Sequence, residues 1–212
     1  MDKKYFLITA FIILAIAQLF IPAKMILGQE DIIETGTEFH FRTEPIDPSD
    51  PFRGKYIYLN YKNEFFYNTD TSIKWQSHET AYVIIETDDE GFAQVISAQK
   101  EKPDNDVDFL KIKLGYVSNY NNTISNNIIK IEGNDNNYKQ IDIDYPFDRY
   151  YMEESKSQDA EDYYRKSSVD TNSVCYSVVK IKNGKAVLTD VIINDRSIKD
   201  IIKEQQLNAK KD

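Results

Sequence analysis

The chain opens on its longest apolar run. After Lys3 and Lys4, residues 5–21 are apolar except for Thr9 and Gln18, and residues 22–27 extend the run. About 20 predominantly apolar residues are enough to cross a bilayer as a helix. Residues 5–27 are therefore expected to form a transmembrane helix. Lysines ahead of a span hold that end inside, which places residues 1–4 in the cytoplasm and the rest beyond the membrane. A cleaved signal peptide is the alternative, because Ala15, Ile16 and Ala17 fit a small-x-small cleavage site. Cutting there would leave "QLFIPAKMIL" as a greasy new terminus. Apolar character continuing past the site favours an uncleaved signal anchor.

Beyond the span, after a short connector, the period of the pattern falls to two, the mark of strands with one face buried. "TEFHFRT" sets Phe39 and Phe41 against Glu38, His40 and Arg42. "YIYLNY" sets Ile57, Leu59 and Tyr61 on one face and Tyr56, Tyr58 and Asn60 on the other. "AYVIIE" and "FAQVISAQ" flank an acidic turn at residues 87–91 and read as a hairpin. "FLKIKLGYV" puts Leu110, Ile112 and Leu114 opposite Lys111 and Lys113, and "NIIKIE" and "QIDID" are two further short strands. The strongest local signal is "VCYSVVKIKNGKAVLTDVII". Its two β-branched runs meet at Asn183 and Gly184, residues that tolerate the positive φ of a tight turn.

Between these runs lie "EPIDPSDP", stiffened by three prolines, and the asparagine-rich "SNYNNTISNN", a surface loop. Helical spacing appears in "EESKSQDAEDYYRKSS", through Ala160, Tyr163 and Tyr164. It appears again after Asp195, through Ile198, Ile201 and Ile202. Eight or nine strands with one or two short helices predict a mostly β fold over residues 28–212. The expected form is an antiparallel β-sandwich or partly open β-barrel behind the transmembrane helix.

Composition narrows the function. The 212 residues carry a net charge of -9, and an acidic surface repels phosphate backbones, so no nucleic acid is expected as partner. Fifteen tyrosines and an aromatic share of 13% suit a packed core rather than a disordered chain. His40 and His78 lie far apart and Cys175 is alone, so neither a zinc site nor an internal disulfide is expected. Asp142, Asp144 and Asp148 lack the spacing and glycine of a calcium loop. There is no phosphate-cradling glycine loop and no nucleophile elbow. No cofactor and no catalytic set emerge.

Two stretches concentrate candidate binding residues. "DPFRGKYIYLNY" offers Arg53, Gly54, Lys55 and Tyr56 at the entrance of a strand, where tyrosine hydroxyls and an arginine suit anions or sugars. "DYPFDRYYMEE" offers Asp144, Asp148, Arg149, Tyr150, Tyr151, Glu153 and Glu154. Its bland reading is a solvated acidic loop with one aromatic tucked inward. The parity of "YIYLNY" splits its tyrosines over both faces, which favours a packed strand over a binding lip.

The same residues resemble a named family. "FRGKYIYLNY" is similar to the signature of the GDYXXLXY proteins, with Gly54, Tyr56, Leu59 and Tyr61 in place and Lys55 where the name has aspartate. The lead-in "GTEFHFRTEPIDPSDPF" resembles the family through Gly36, Thr43, Pro45, Asp47 and Pro48. "RYYMEESKSQDAE" does so through Tyr150, Tyr151, Glu154 and Glu161, with Glu153 where a proline is common. The resemblance implies a membrane-anchored bacterial protein, in a family whose members are often encoded beside polytopic membrane proteins, and it supplies no catalytic residues. Three expectations follow. The first is a non-catalytic accessory or interaction subunit of a cell-envelope complex, held in the cytoplasmic membrane with its domain outside and bound to a polytopic partner. The second is a module for an envelope sugar or peptide. The third is a hydrolase built on Glu154 and Glu161 or on Asp144 and Asp148.

Overall fold

A computed structural model describes residues 3–44, 56–62, 65–68, 73–104, 106–121, 137–170 and 172–209. The apolar run forms helix α1, Lys3–Thr35, which passes through Pro22 without ending. The short connector expected after Leu27 is instead helical, and only Gly36 separates α1 from the first strand. The drop in hydropathy at "GQEDIIET" does not end the helix. Among the residues of α1 only Ile32 is buried. Gly36 donates to the Ile32 carbonyl at 2.8 Å. A Cβ at this glycine would lie 2.5 Å from that oxygen and 3.0 Å from the Ile181 oxygen. The chain can therefore turn from helix to strand only where a side chain is absent.

Strands β1 (Thr37–Glu44), β2 (Tyr56–Tyr58), β3 (Asn60–Tyr61), β4 (Phe65–Asn68), β5 (Thr80–Thr87) and β6 (Ala93–Gln99) follow in order. After them come β7 (Phe109–Asn121), β8 (Asn137–Asp144), β9 (Arg149–Tyr151), helix α2 (Glu154–Ser168), β10 (Cys175–Lys182), β11 (Lys185–Ile193), β12 (Arg196–Ser197) and helix α3 (Ile198–Ala209). One sheet runs β12-β11-β10-β1-β3, a second β4-β8-β7-β5-β6, and β2 pairs with β9. All of these pairings are antiparallel. The mostly β, antiparallel expectation stands. "EPIDPSDP", "NIIKIE" and most of the asparagine-rich loop lie outside the described residues. Ser118 and its neighbours up to Asn121, read as part of that loop, instead continue β7.

The expected alternation is seen in burial. Phe39 and Phe41 are buried in β1, and Leu110, Ile112 and Leu114 in β7. The β10–β11 hairpin turns at Asn183 (φ 52) and Gly184 (φ 81) with Lys182 opposite Lys185. Its tip reaches the second sheet, where the Lys111 amide donates to the Gly184 carbonyl at 2.9 Å. In α2 the buried positions Ser157, Ala160 and Tyr164 recur at helical spacing, and α3 buries Ile198, Ile201 and Ile202.

"YIYLNY" departs from a single strand. Its first half pairs with β9 and its second half with β1, and at the bend the Leu59 amide donates to the Asp148 carbonyl at 2.8 Å. The predicted parity nevertheless holds, with Ile57, Leu59 and Tyr61 buried and Tyr56, Tyr58 and Asn60 half-buried. One short segment thus ties two sheets together while keeping one face in the core.

Candidate functional site

Of the candidate residues, Arg53, Gly54 and Lys55 lie outside the described residues. Tyr56 opens β2 directly opposite Tyr151 of β9, and their rings meet at 5.4 Å and 56°. The Arg149 guanidinium stands 5.3 Å from the centre of the Tyr56 ring. Its charge is held by the Tyr151 hydroxyl and by Asp148, and these neighbours raise its pKa. Arg149 Nε lies 3.7 Å from Asp148 Oδ2. Cross-strand aromatic pairs and cation–π contacts each contribute on the order of 0.5–1 kcal/mol. Tyr151 stays 65% exposed, so the cluster presents an aromatic and cationic face to its surroundings.

Tyr150 goes the other way. It lies opposite Ile57, is buried, and donates its hydroxyl to Asp190 Oδ1 at 3.1 Å. Burial and the nearby Asp190 carboxylate push its pKa well up. Lys199 Nζ stands 5.3 Å from its ring centre. Tyr150 is thus a strut between β9 and β11, on the opposite side of the strand from Tyr151. Glu154 begins α2 three residues after Tyr151, and α2 packs against β2, the strand that carries Tyr56. Glu161 sits two turns further along, about 10 Å away by helical rise.

The loop "DYPFDRYYMEE" is more deeply built in than the sequence suggested. Tyr145, Phe147 and Tyr150 are all buried where one inward aromatic was expected. Tyr61 explains why. Its ring packs 5.3 Å from Tyr145, 5.4 Å from Phe147 and 5.9 Å from Phe41. Its hydroxyl donates to the Phe147 carbonyl at 2.8 Å. The signature residues Leu59 and Tyr61 therefore act in the core, and of the signature's described residues only Tyr56 faces the candidate surface.

Beneath this lies a buried polar group of residues. Tyr61 is turned toward Ser177 and Tyr164 toward Thr43. Among the described residues, none of the Tyr164, Thr43 and Ser177 oxygens has a partner at hydrogen-bond geometry, although each tyrosine hydroxyl is close enough to its neighbour to feel it. Burial raises the pKa of both tyrosines. The Cys175 thiol is pushed up to about 11, first by burial and then by Asp170, so at neutral pH it is a protonated thiol and not a nucleophile. Among the described residues no group of three His, Cys, Asp or Glu side chains could hold a metal ion.

Asp190 escaped the sequence reading. Its signal was an acid interrupting the apolar run "AVLTDVII". Its partner is 40 residues away in sequence, which periodicity cannot see.

Together these features define a class: an antiparallel β domain behind a long apolar amino-terminal helix, with a Tyr56–Tyr151–Arg149 cluster on the β2–β9 pair. The chain belongs to the GDYXXLXY family, whose sequence model, described as GDYXXLXY protein, matches residues 18–191. No curated protein and no solved structure matches it.

Proposed function

We propose that this is a single-pass membrane protein. In this reading residues 1–4 lie in the cytoplasm, residues 5–27 span the bilayer, and residues 28–212 form a domain on the far side. The domain serves as a non-catalytic interaction subunit for a polytopic membrane protein. The observation that supports the reading is α1 itself. It is long and apolar enough to cross a membrane, and none of its apolar window is covered by the rest of the chain. Phe11 is 70% and Leu19 71% exposed. Soluble proteins rarely leave so continuous an apolar surface bare.

The surface proposed for the partner is Arg53, Lys55, Tyr56, Tyr151 and Glu154, with Arg149 beside them. A rigid aromatic pair next to a guanidinium is the kind of anchor on which interfaces concentrate binding energy. The described tyrosines are divided between the core (Tyr61, Tyr145, Tyr150, Tyr164) and exposed sites such as Tyr116 and Tyr151. That division favours a protein-binding face over a tyrosine-lined sugar or peptide cup.

The test is cross-linking in native membranes followed by affinity recovery of the full-length chain. Reversing charge at Arg53, Lys55 and Arg149 together is expected to remove a specific multi-span protein from the recovered material while the domain still unfolds cooperatively, its melting point lowered by only a few degrees through the lost Arg149–Tyr56 contact. Undiminished recovery of that protein from the triple variant would sink the proposed surface.

A further inference from the structure

Over the last turns of the proposed span and just beyond it, α1 does not lie flush on the domain. A groove of about 560 Å³ separates it from β11. On the helix side Phe20, Lys24, Gly28 and Ile32 recur every fourth residue, so one stripe of α1 forms a wall, thickened by Ile21 and Met25. The opposite wall is Lys185, Ala186 and Val187. Gly28 has open space where a side chain would be, with nothing within 4 Å of a built Cβ. Apart from Gln29 the groove is lined by apolar residues and Gly28, and it carries two cations, Lys24 and Lys185. No carboxylate lines it, and neither lysine is ion-paired among the described residues.

Depth makes the pattern specific. A hydrocarbon core of ~30 Å takes about 20 helical residues. With residue 5 at one boundary, the other falls near Met25. Phe20 and Ile21 then stand among acyl chains, the Lys24 side chain reaches up to headgroup level, and Lys185 lines the same groove. A lysine at the outward end runs against the usual bias for cations on the cytoplasmic side, and in a protein of charge -9 it is a local exception. Charge decides between occupants. Two cations without ion-pair partners among the described residues, set above apolar side chains, match an anionic amphiphile.

We propose that this groove binds one anionic phospholipid, with one of its two acyl chains against Phe20, Ile21 and Met25 and its phosphate between Lys24 and Lys185. The inference rests on the membrane-anchored reading above. Each lysine beside an anionic headgroup contributes about fivefold in affinity, so losing both lowers it on the order of 25-fold.

The test is native mass spectrometry of the full-length protein in mild detergent with equimolar phosphatidylglycerol and phosphatidylcholine, paired with flotation on vesicles of the same two lipids. The wild type is expected to retain one phosphatidylglycerol in preference to phosphatidylcholine. Lys24→Gln/Lys185→Gln is expected to lose that preference by the factor given, and Gly28→Leu to lose it by filling the groove. Should Gly28→Leu misfold, the lysine variant decides alone. Equal retention of the two lipids by the wild type overturns the proposal, as does an unchanged preference in the lysine variant or a polypeptide helix found cross-linked into the groove. Failure of the wild type to float on vesicles overturns both this inference and the anchored reading. Normal flotation without lipid preference overturns this one only.

Discussion

Tyr61 and Tyr164 show what single side chains do in this core. Both are buried, and both hold their phenolic proton more tightly in the folded chain than in the unfolded one. Their contribution to stability is therefore whole below the unfolded pKa of about 10 and is lost as pH rises beyond it, at about 1.4 kcal/mol per group per pH unit. Urea unfolding of the full-length protein in mild detergent should show stability falling steeply between about pH 10 and pH 11. Tyr61→Phe and Tyr164→Phe should each remove about one proton from that slope. At pH 7 the two variants should differ. Tyr61→Phe loses the bond to the Phe147 carbonyl and should cost about 1 kcal/mol. Tyr164→Phe deletes a hydroxyl that has no partner at hydrogen-bond geometry among the described residues and should be neutral or slightly stabilising. A pH-independent stability in this range would remove the argument.

At the scale of elements, the β10–β11 hairpin is both the most legible feature of the sequence and the clasp of the fold. Its turn required only Asn183 and Gly184, and its strands only alternation. What periodicity did not show is that the turn reaches β7, where a Cβ on Gly184 would sit 2.6 Å from the Phe109 ring. Gly184→Ala should destabilise by about 3 kcal/mol, from left-handed backbone strain together with overpacking against Phe109. Gly91 offers the control, since its φ is also positive (+87) but nothing lies within 4 Å. Gly91→Ala should cost only the backbone part, about 1–2 kcal/mol. Comparing the urea midpoints of the two variants isolates the clasp, and equal losses would show that the tip bears no load. The bend in "YIYLNY" belongs to the same scale. Alternation told which residues face inward, but the split between partners β9 and β1 depends on strands more than ten residues away in sequence.

For the whole molecule, the question is how far α1 and the β domain depend on each other. The helix contributes one buried residue, Ile32, and a clamp in which Lys182 Nζ lies 2.8 Å from both Asp31 carboxylate oxygens. Both features lie beyond residue 27. A chain lacking residues 1–27 should therefore stay in solution and melt within a few degrees of the full-length protein, because no core contact is removed. The full-length protein should resist carbonate extraction from membranes. A truncated chain that aggregates or loses its cooperative transition would show that α1 is part of the core and not an anchor.

The amino-acid order alone determined the features whose physics is local. These are the apolar helix, the in–out alternation of β1, β5, β7 and β10, the tight turn at Asn183 and Gly184, and the isoleucine stripe of α3. Helical and extended periods are written in neighbouring residues, so they are legible without a fold. The tertiary structure decided what depends on distant partners. It sent Tyr150 inward to Asp190 and left Tyr151 outside beside Tyr56. It buried three aromatics of a stretch that reads as acidic loop, and it carried α1 past its apolar limit to Thr35. Each of these outcomes depends on which surfaces are covered by residues far off in the chain, and burial of that kind has no local signature.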